Sequence, residues 1–235
     1  MGNSISEYLS LALSIEYLVI THRESREIIY YKTVGDFNPE ILDMFRSSIQ
    51  YEILDLPSEI GGIEQATLEG KYLLTRAGKL VWVSLILKYK PIRFTRDVLK
   101  FFCKLFENQY EREIIELYTK FEGDISVFQQ DPYSRQSLNK EIEDIFHLYL
   151  THPFQVGSLR GAKVDNRAKK VYKIAKDLVH KYKEPFFLNN LFFEVGKSFQ
   201  LENIEIAELI YNLVETGVLI PIKEERIKRR FPIHF

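Results

Sequence analysis

The stretch from Gly61 to Gly123 constrains this chain more than any other. Gly61-Gly62 opens a segment from Ile63 to Glu69, Gly70 breaks it, Lys71 to Arg76 follows, Ala77-Gly78 turns, and Leu80 to Leu87 reads LVWVSLIL. Each run has strand length, carries β-branched or aromatic residues, and is bounded by glycine-containing turns, so the three predict an antiparallel meander. The helix after Pro91 then covers one face. A sheet with helices on one side and no catalytic residues at its strand ends points to a docking surface rather than an active site.

A hairpin precedes the meander. Tyr17 to Thr21 and Glu27 to Thr33 are β-rich runs joined by the polar loop His22-Arg23-Glu24-Ser25-Arg26. Asn38 then stands as an N-cap with Pro39 at the first helical position. The helix they start places Ile41, Leu42, Phe45, Ile49 and Ile53 on one side, and Pro57 ends it. The next helix begins near Thr95, read as its cap. Its stripe Val98, Phe101, Phe102, Leu105 is out of phase with Tyr110, Ile114, Leu117, Phe121, which predicts a kink at Glu107-Asn108-Gln109.

The polar stretch 129–137, QQDPYSRQS, reads as a linker between a first domain, 1–128, and a second, 138–235. The second contains a helix from Leu138 to Leu150, a loop with Pro153, Gly157 and Gly161, and a basic amphipathic helix from Asn166 to Tyr182. Helices Leu188 to Val195 and Ile204 to Glu215 follow, then Gly217 and a strand from Val218 to Ile222. Three helices and a terminal strand or hairpin form a winged-helix pattern. The fold class is therefore α+β, a five-stranded antiparallel sheet with helices followed by a mainly helical domain. With 46% hydrophobic and 14% aromatic residues, 235 residues can bury two such cores.

The lone cysteine, Cys103, excludes a disulfide framework and implies a reducing compartment. No apolar run reaches the ~18 residues of a membrane span, and the segment before Ser10 lacks the basic start of a secretory signal. The expectation is a cytoplasmic protein, with peripheral membrane contact left open. Met1-Gly2-Asn3-Ser4-Ile5-Ser6 fits the N-myristoylation pattern, which means nothing in a cell lacking the transferase.

The hairpin LVITHRESREIIYYKTV (Leu18 to Val34), the meander GKYLLTRAGKLVWVSLILKYKP (Gly70 to Pro91) and the helical LKFFCKLFENQYEREIIELYTKFEGDI (Leu99 to Ile125) together resemble longin domains, relatives of roadblock domains. A helix over Ile5 to Leu13, before the first strand, would match the roadblock order. Residue usage rich in Ile, Lys and Tyr and poor in Ala resembles that of archaeal proteins of the Asgard type. The resemblance covers about the first half of the chain. It implies a non-catalytic platform for small GTPases or trafficking partners.

Chemical motifs are sparse. Gly196-Lys197-Ser198 ends like a phosphate-binding loop, but the required upstream glycine is Leu191 and a helix precedes it; a helix C-terminus is the better reading. Glu143 and His147 stand four apart, a metal-ligand spacing without a third ligand. His22, His180 and His234 are scattered. Neither a cofactor nor a metal is expected.

Nine basic residues lie between Arg160 and Lys183, opposed only by Asp165 and Asp177, in a chain of net charge −1. The helix that would enter a DNA groove, Ile204 to Glu215, instead carries Glu205, Glu208 and Glu215, and phosphates repel it. Sequence-specific DNA readout is therefore disfavoured. The basic patch of Arg167, Lys169, Lys170, Lys173, Lys176, Arg229 and Arg230 could touch nucleic acid non-specifically, anionic lipid or an acidic protein. The leading expectation is a scaffold that binds a Ras-like GTPase or another longin or roadblock subunit, as a homo- or hetero-oligomer, through Ile41, Phe45, Arg46 and Ile49. The alternative is a nucleic-acid-binding regulator whose first domain is a sensor.

Overall fold

Alternation of apolar and polar residues fails in the strands from Ile15 to His22 (β1) and Val81 to Leu87 (β5), and the structure shows why. In this computed structural model, which describes residues 5–34, 38–128, 138–182 and 185–222, β5 is buried at every position and β1 at all but Glu16. They are the central strands of a five-stranded antiparallel sheet of order β2-β1-β5-β4-β3, with β2 at Ile28–Thr33, β3 at Ile63–Leu68 and β4 at Lys71–Ala77. The chain is α+β, with seven α-helices among the described residues.

The sheet is covered on both faces, a correction to the one-sided expectation. Tyr17 and Val19 of β1, Ile86 of β5 and Leu73 of β4 share one face and pack with Leu42, Phe45 and Ile49 of α2 (Pro39–Gln50). Residues of the opposite phase, Leu18, Ile20, Leu74, Val83 and Leu85, are equally buried. On that side lies α3 (Arg93–Ile115), whose Cys103 and Glu107 meet Arg76 and the β4–β5 turn. A continuous apolar strand such as LVWVSLIL is what burial on two faces requires.

Helix ends follow local chemistry with two exceptions. Asn38 caps α2 by accepting from the Glu40 amide at 3.0 Å, and Pro39 occupies the first turn. But α2 stops at Gln50, Glu52 adopts φ 56°, and Ile53 is exposed rather than part of the buried side. Thr95 does not cap α3, which starts at Arg93; its hydroxyl-bearing side chain is buried. The kink falls at Tyr110, one residue past the phase change, with φ −114° and ψ 18°.

By its contacts the chain divides into two compact units, Ser14–His147 and Met1–Leu13 with Leu148–Phe235. Helix α4 (Leu138–Ile145), which the sequence boundary assigns to the second domain, groups with the sheet. Asn139 Oδ1 accepts from Tyr30 Oη at 2.7 Å, and Glu143 pairs with Lys32 at 3.0 Å. The expected linker 129–137 lies outside the described residues. Helix α1 (Ile5–Ser14) is real, yet its Ala12, Tyr8 and Leu9 pack in the core of the other unit, with Phe154, Val171, Leu191 and Ile210.

That second core is built from α5 (Asn166–Tyr182), α6 (Leu188–Ser198) and α7 (Asn203–Glu215). Beside them is a two-stranded antiparallel sheet of β6 (Phe154–Val156) and β7 (Leu219–Pro221), β6 being read from sequence as loop. Gly217 takes φ 69° to turn from α7 into β7. Among the described residues, no helix is long and apolar enough to cross a membrane.

Candidate docking edge and basic helix

With both sheet faces closed, a partner of this sheet must meet an edge. At one end, β2 has the 3₁₀ turn Ile125–Phe128 alongside and is tied to α4 through Tyr30 and Lys32. At the other end β3 pairs, among the described residues, with β4 alone, and Glu64, Gln65 and Thr67 are exposed.

The β3–β4 turn sets what this edge offers. Glu69 (φ 48°) and Gly70 (φ 74°) form a two-residue loop of the left-handed kind that matches strand twist. Such a loop is closed by a hydrogen-bonded pair, here Leu68 and Lys71, and pairs alternate along an antiparallel ladder. Ala66 and Glu64 therefore bond inward to β4, while Ile63, Gln65 and Thr67 turn their amide and carbonyl groups to the open side.

The connector entering β3 is held rigidly. Arg23 donates to Gly78 O at 2.6 Å and Ser58 O at 2.7 Å and lies 5.4 Å from the Trp82 ring centroid. Trp82 Nε1 donates to Pro57 O at 2.9 Å, and Arg76 to Gly61 O at 2.8 Å. This framework leaves Tyr51, Ile53 and Ile60 more than two thirds exposed, at 76%, 71% and 67%. Tyr51 and Ile53 flank Glu52, which pairs with Arg26 of the β1–β2 hairpin, whereas Ile60 stands three residues before β3 and adds exposed apolar surface at the start of that strand. Main-chain hydrogen bonds and apolar contact are the two parts of a strand-addition site.

The sequence-predicted contact helix divides differently. Phe45 and Ile49 are buried against the sheet, so they hold the fold and cannot meet a partner. Ile41 is half-buried in the same cluster. Only Arg46 is exposed, 3.6 Å from Asp43. Burying a Phe side chain is worth about 1.5–3 kcal/mol, which explains the choice of Phe at position 45 without a partner.

Histidine and cysteine chemistry resolves into local structure. His22 Nδ1 accepts from the Ser25 amide at 3.3 Å and lies 3.0 Å from Ser25 Oγ; Ser25 Oγ is 2.6 Å from Tyr118 Oη, which donates to Glu27 at 2.5 Å. Burial holds the His22 imidazole below its ordinary pKa, against the opposing pull of Glu24 and Glu27. The Ser25 amide and hydroxyl share one ring nitrogen, the signature of a turn within the hairpin loop. Cys103 is buried, and that burial, with Glu107 nearby, pushes its thiol up to about 12, far from a reactive thiolate.

Other expected ligands are not assembled. His147 lies past the end of α4 with φ 53°, while Glu143 is engaged by Lys32, so the pair does not share a helix face. No group of three His, Cys, Asp or Glu among the described residues is placed to hold a metal. Gly196-Lys197-Ser198 forms the last turn of α6: Ser198 Oγ donates to Glu194 O at 2.8 Å and Lys197 stacks 4.0 Å over Phe193.

In the second unit, α5 buries Ala168, Val171, Ala175 and Leu178, and Lys169, Lys170, Lys173 and Lys176 are exposed. Arg167 is drawn 3.5 Å from Glu205 of α7. Arg229 and Arg230 lie outside the described residues. Sequence leaves open which sheet edge is free, because that depends on the strand order, although the Glu69-Gly70 loop length already indicates which β3 amides point away from β4. No family model matches the chain, and no curated protein is significantly similar to it.

Proposed function

We propose that the protein is a non-catalytic docking platform whose sheet unit receives a protein partner along β3. The carrying observation is the β3 edge, unpaired among the described residues, with its outward amides at Ile63, Gln65 and Thr67 and the exposed Ile60 just before it. On this reading the sheet unit is a longin- or roadblock-like domain and the other a winged-helix-like domain. The order strand, strand, helix, three strands, helix within one sheet supports the first assignment. Three helices followed by β7, paired to β6, support the second. The partner is a small Ras-like GTPase or another longin or roadblock subunit.

The test is capture of partners by the tagged full chain from its own organism's lysate, in parallel with GDP and a non-hydrolysable GTP analogue. Recovery of a Ras-like GTPase in one nucleotide state, or of a longin or roadblock subunit in both, is the expected result. Recovery of neither overturns the partner assignment.

A further inference from the structure

The solvent face of α5 carries a line of charge that the docking edge does not use. Lys169, Lys173, Lys176 and His180 are exposed, and at 100° per residue they fall on one narrow stripe. The stripe spans roughly 16 Å at 1.5 Å per residue. It lies opposite Ala168, Val171, Ala175 and Leu178, so it faces away from the core, where Ile206, Ile210 and Leu213 of α7 pack. Lys170 flanks it, 5.9 Å over the Phe199 ring, and Lys176 lies 5.7 Å over Tyr172. The acidic groups close by are Asp177, beside the stripe, and Asp165, whose carboxylate accepts from the Ala168 amide at 2.6 Å and is spent as a cap.

We infer that this stripe binds the phosphate backbone of duplex DNA without reading its sequence. Lysines are point charges suited to phosphates. A straight row of them along one helix can follow a phosphate strand, and base readout needs groove-entering groups that the stripe lacks. A bilayer is the poorer fit. A helix that lies in a membrane interface buries an apolar face there, and the apolar face of α5 is already closed in the protein core. The site is distinct from the usual winged-helix reading, because the helix expected in the groove, α7, is acidic.

The experiment is fluorescence anisotropy of two unrelated 20-base-pair duplexes titrated with the full chain from about 50 to 200 mM salt. Equal binding of both duplexes, with affinity falling steeply with salt, is expected. The Lys169→Gln, Lys173→Gln, Lys176→Gln triple variant should lose at least about tenfold in affinity at 100 mM salt, and its salt slope should shrink by about 2.7, or 0.9 per lost phosphate contact. The matching Lys→Arg triple, with the same circular dichroism, should retain binding, which separates charge from folding. The inference is overturned if the duplexes do not bind at 50 mM salt, or if the Gln triple binds with unchanged affinity and slope. Binding of anionic phosphatidylserine vesicles without binding of DNA overturns it as well.

Discussion

Gly78 and Glu107 show how a single missing side chain is used. The Glu107 carboxylate sits where a Gly78 Cβ would be and accepts from the amides of Leu80 at 2.6 Å and Val81 at 3.2 Å, closing the β4–β5 turn from α3. Gly78→Ala must displace that carboxylate and leave the turn amides short of a partner. It should cost about 1–3 kcal/mol in chemical denaturation; a cost below about 0.5 kcal/mol would show that the contact is not structural. His22 makes a second residue-scale prediction. Its folded pKa is depressed by burial, while the unfolded imidazole titrates near 6.5. Its stabilising contribution is therefore complete above that value and is lost as pH falls below it toward the folded pKa. His22→Asn keeps an acceptor for the Ser25 amide but does not titrate. The loss of thermal stability between about pH 7.5 and 5.5 should be smaller in this variant than in the native chain, and an equal loss would remove His22 as a source. The residue scale is also where sequence was most readable. Asn38-Pro39 announces its cap because the capping atom is two residues away, whereas Thr95 is buried inside α3 rather than standing at its start.

At the scale of elements, local signals placed β1 to β5 well, since turn residues and strand-length apolar runs act over a few positions. What covers the sheet was not legible from the strand order. It was legible from β5, whose unbroken apolar run is incompatible with a solvated face, and the one-sided reading overlooked this. The three-residue β6 left no pattern, because strands so short carry too few alternations; its pairing to β7, some 65 positions on, is what defines it. The open edge gives the element-scale prediction. Thr67→Pro removes an outward amide and spares the β3–β4 ladder, so the melting temperature should change little, whereas Glu64→Pro removes an inward ladder bond and should destabilise by about 1–3 kcal/mol. Equal damage by both would mean that the assigned ladder phase is wrong.

At the scale of the whole molecule, one unit is a single stretch, Ser14–His147, and the other joins two stretches from either side of it. Asn139 reaches Tyr30 across 109 positions, and α1 joins a core formed by residues beyond Leu148. No local composition shift marks such membership, so the boundary read at 129–137 could not have been corrected from sequence. Ala12, fully buried in that second core, tests the assignment. Ala12→Glu buries an unpaired carboxylate and should cost several kcal/mol in the helical unit. Hydrogen exchange should accelerate in α5, α6 and α7 and stay unchanged in β4 and β5; acceleration confined to the sheet would contradict the assignment. The most direct test of the platform account compares the native chain with Thr67→Pro in the nucleotide-resolved capture, with circular dichroism as the check on folding. The account predicts that the partner is retained by the native chain and lost by the folded variant. Equal recovery by both would contradict docking along β3.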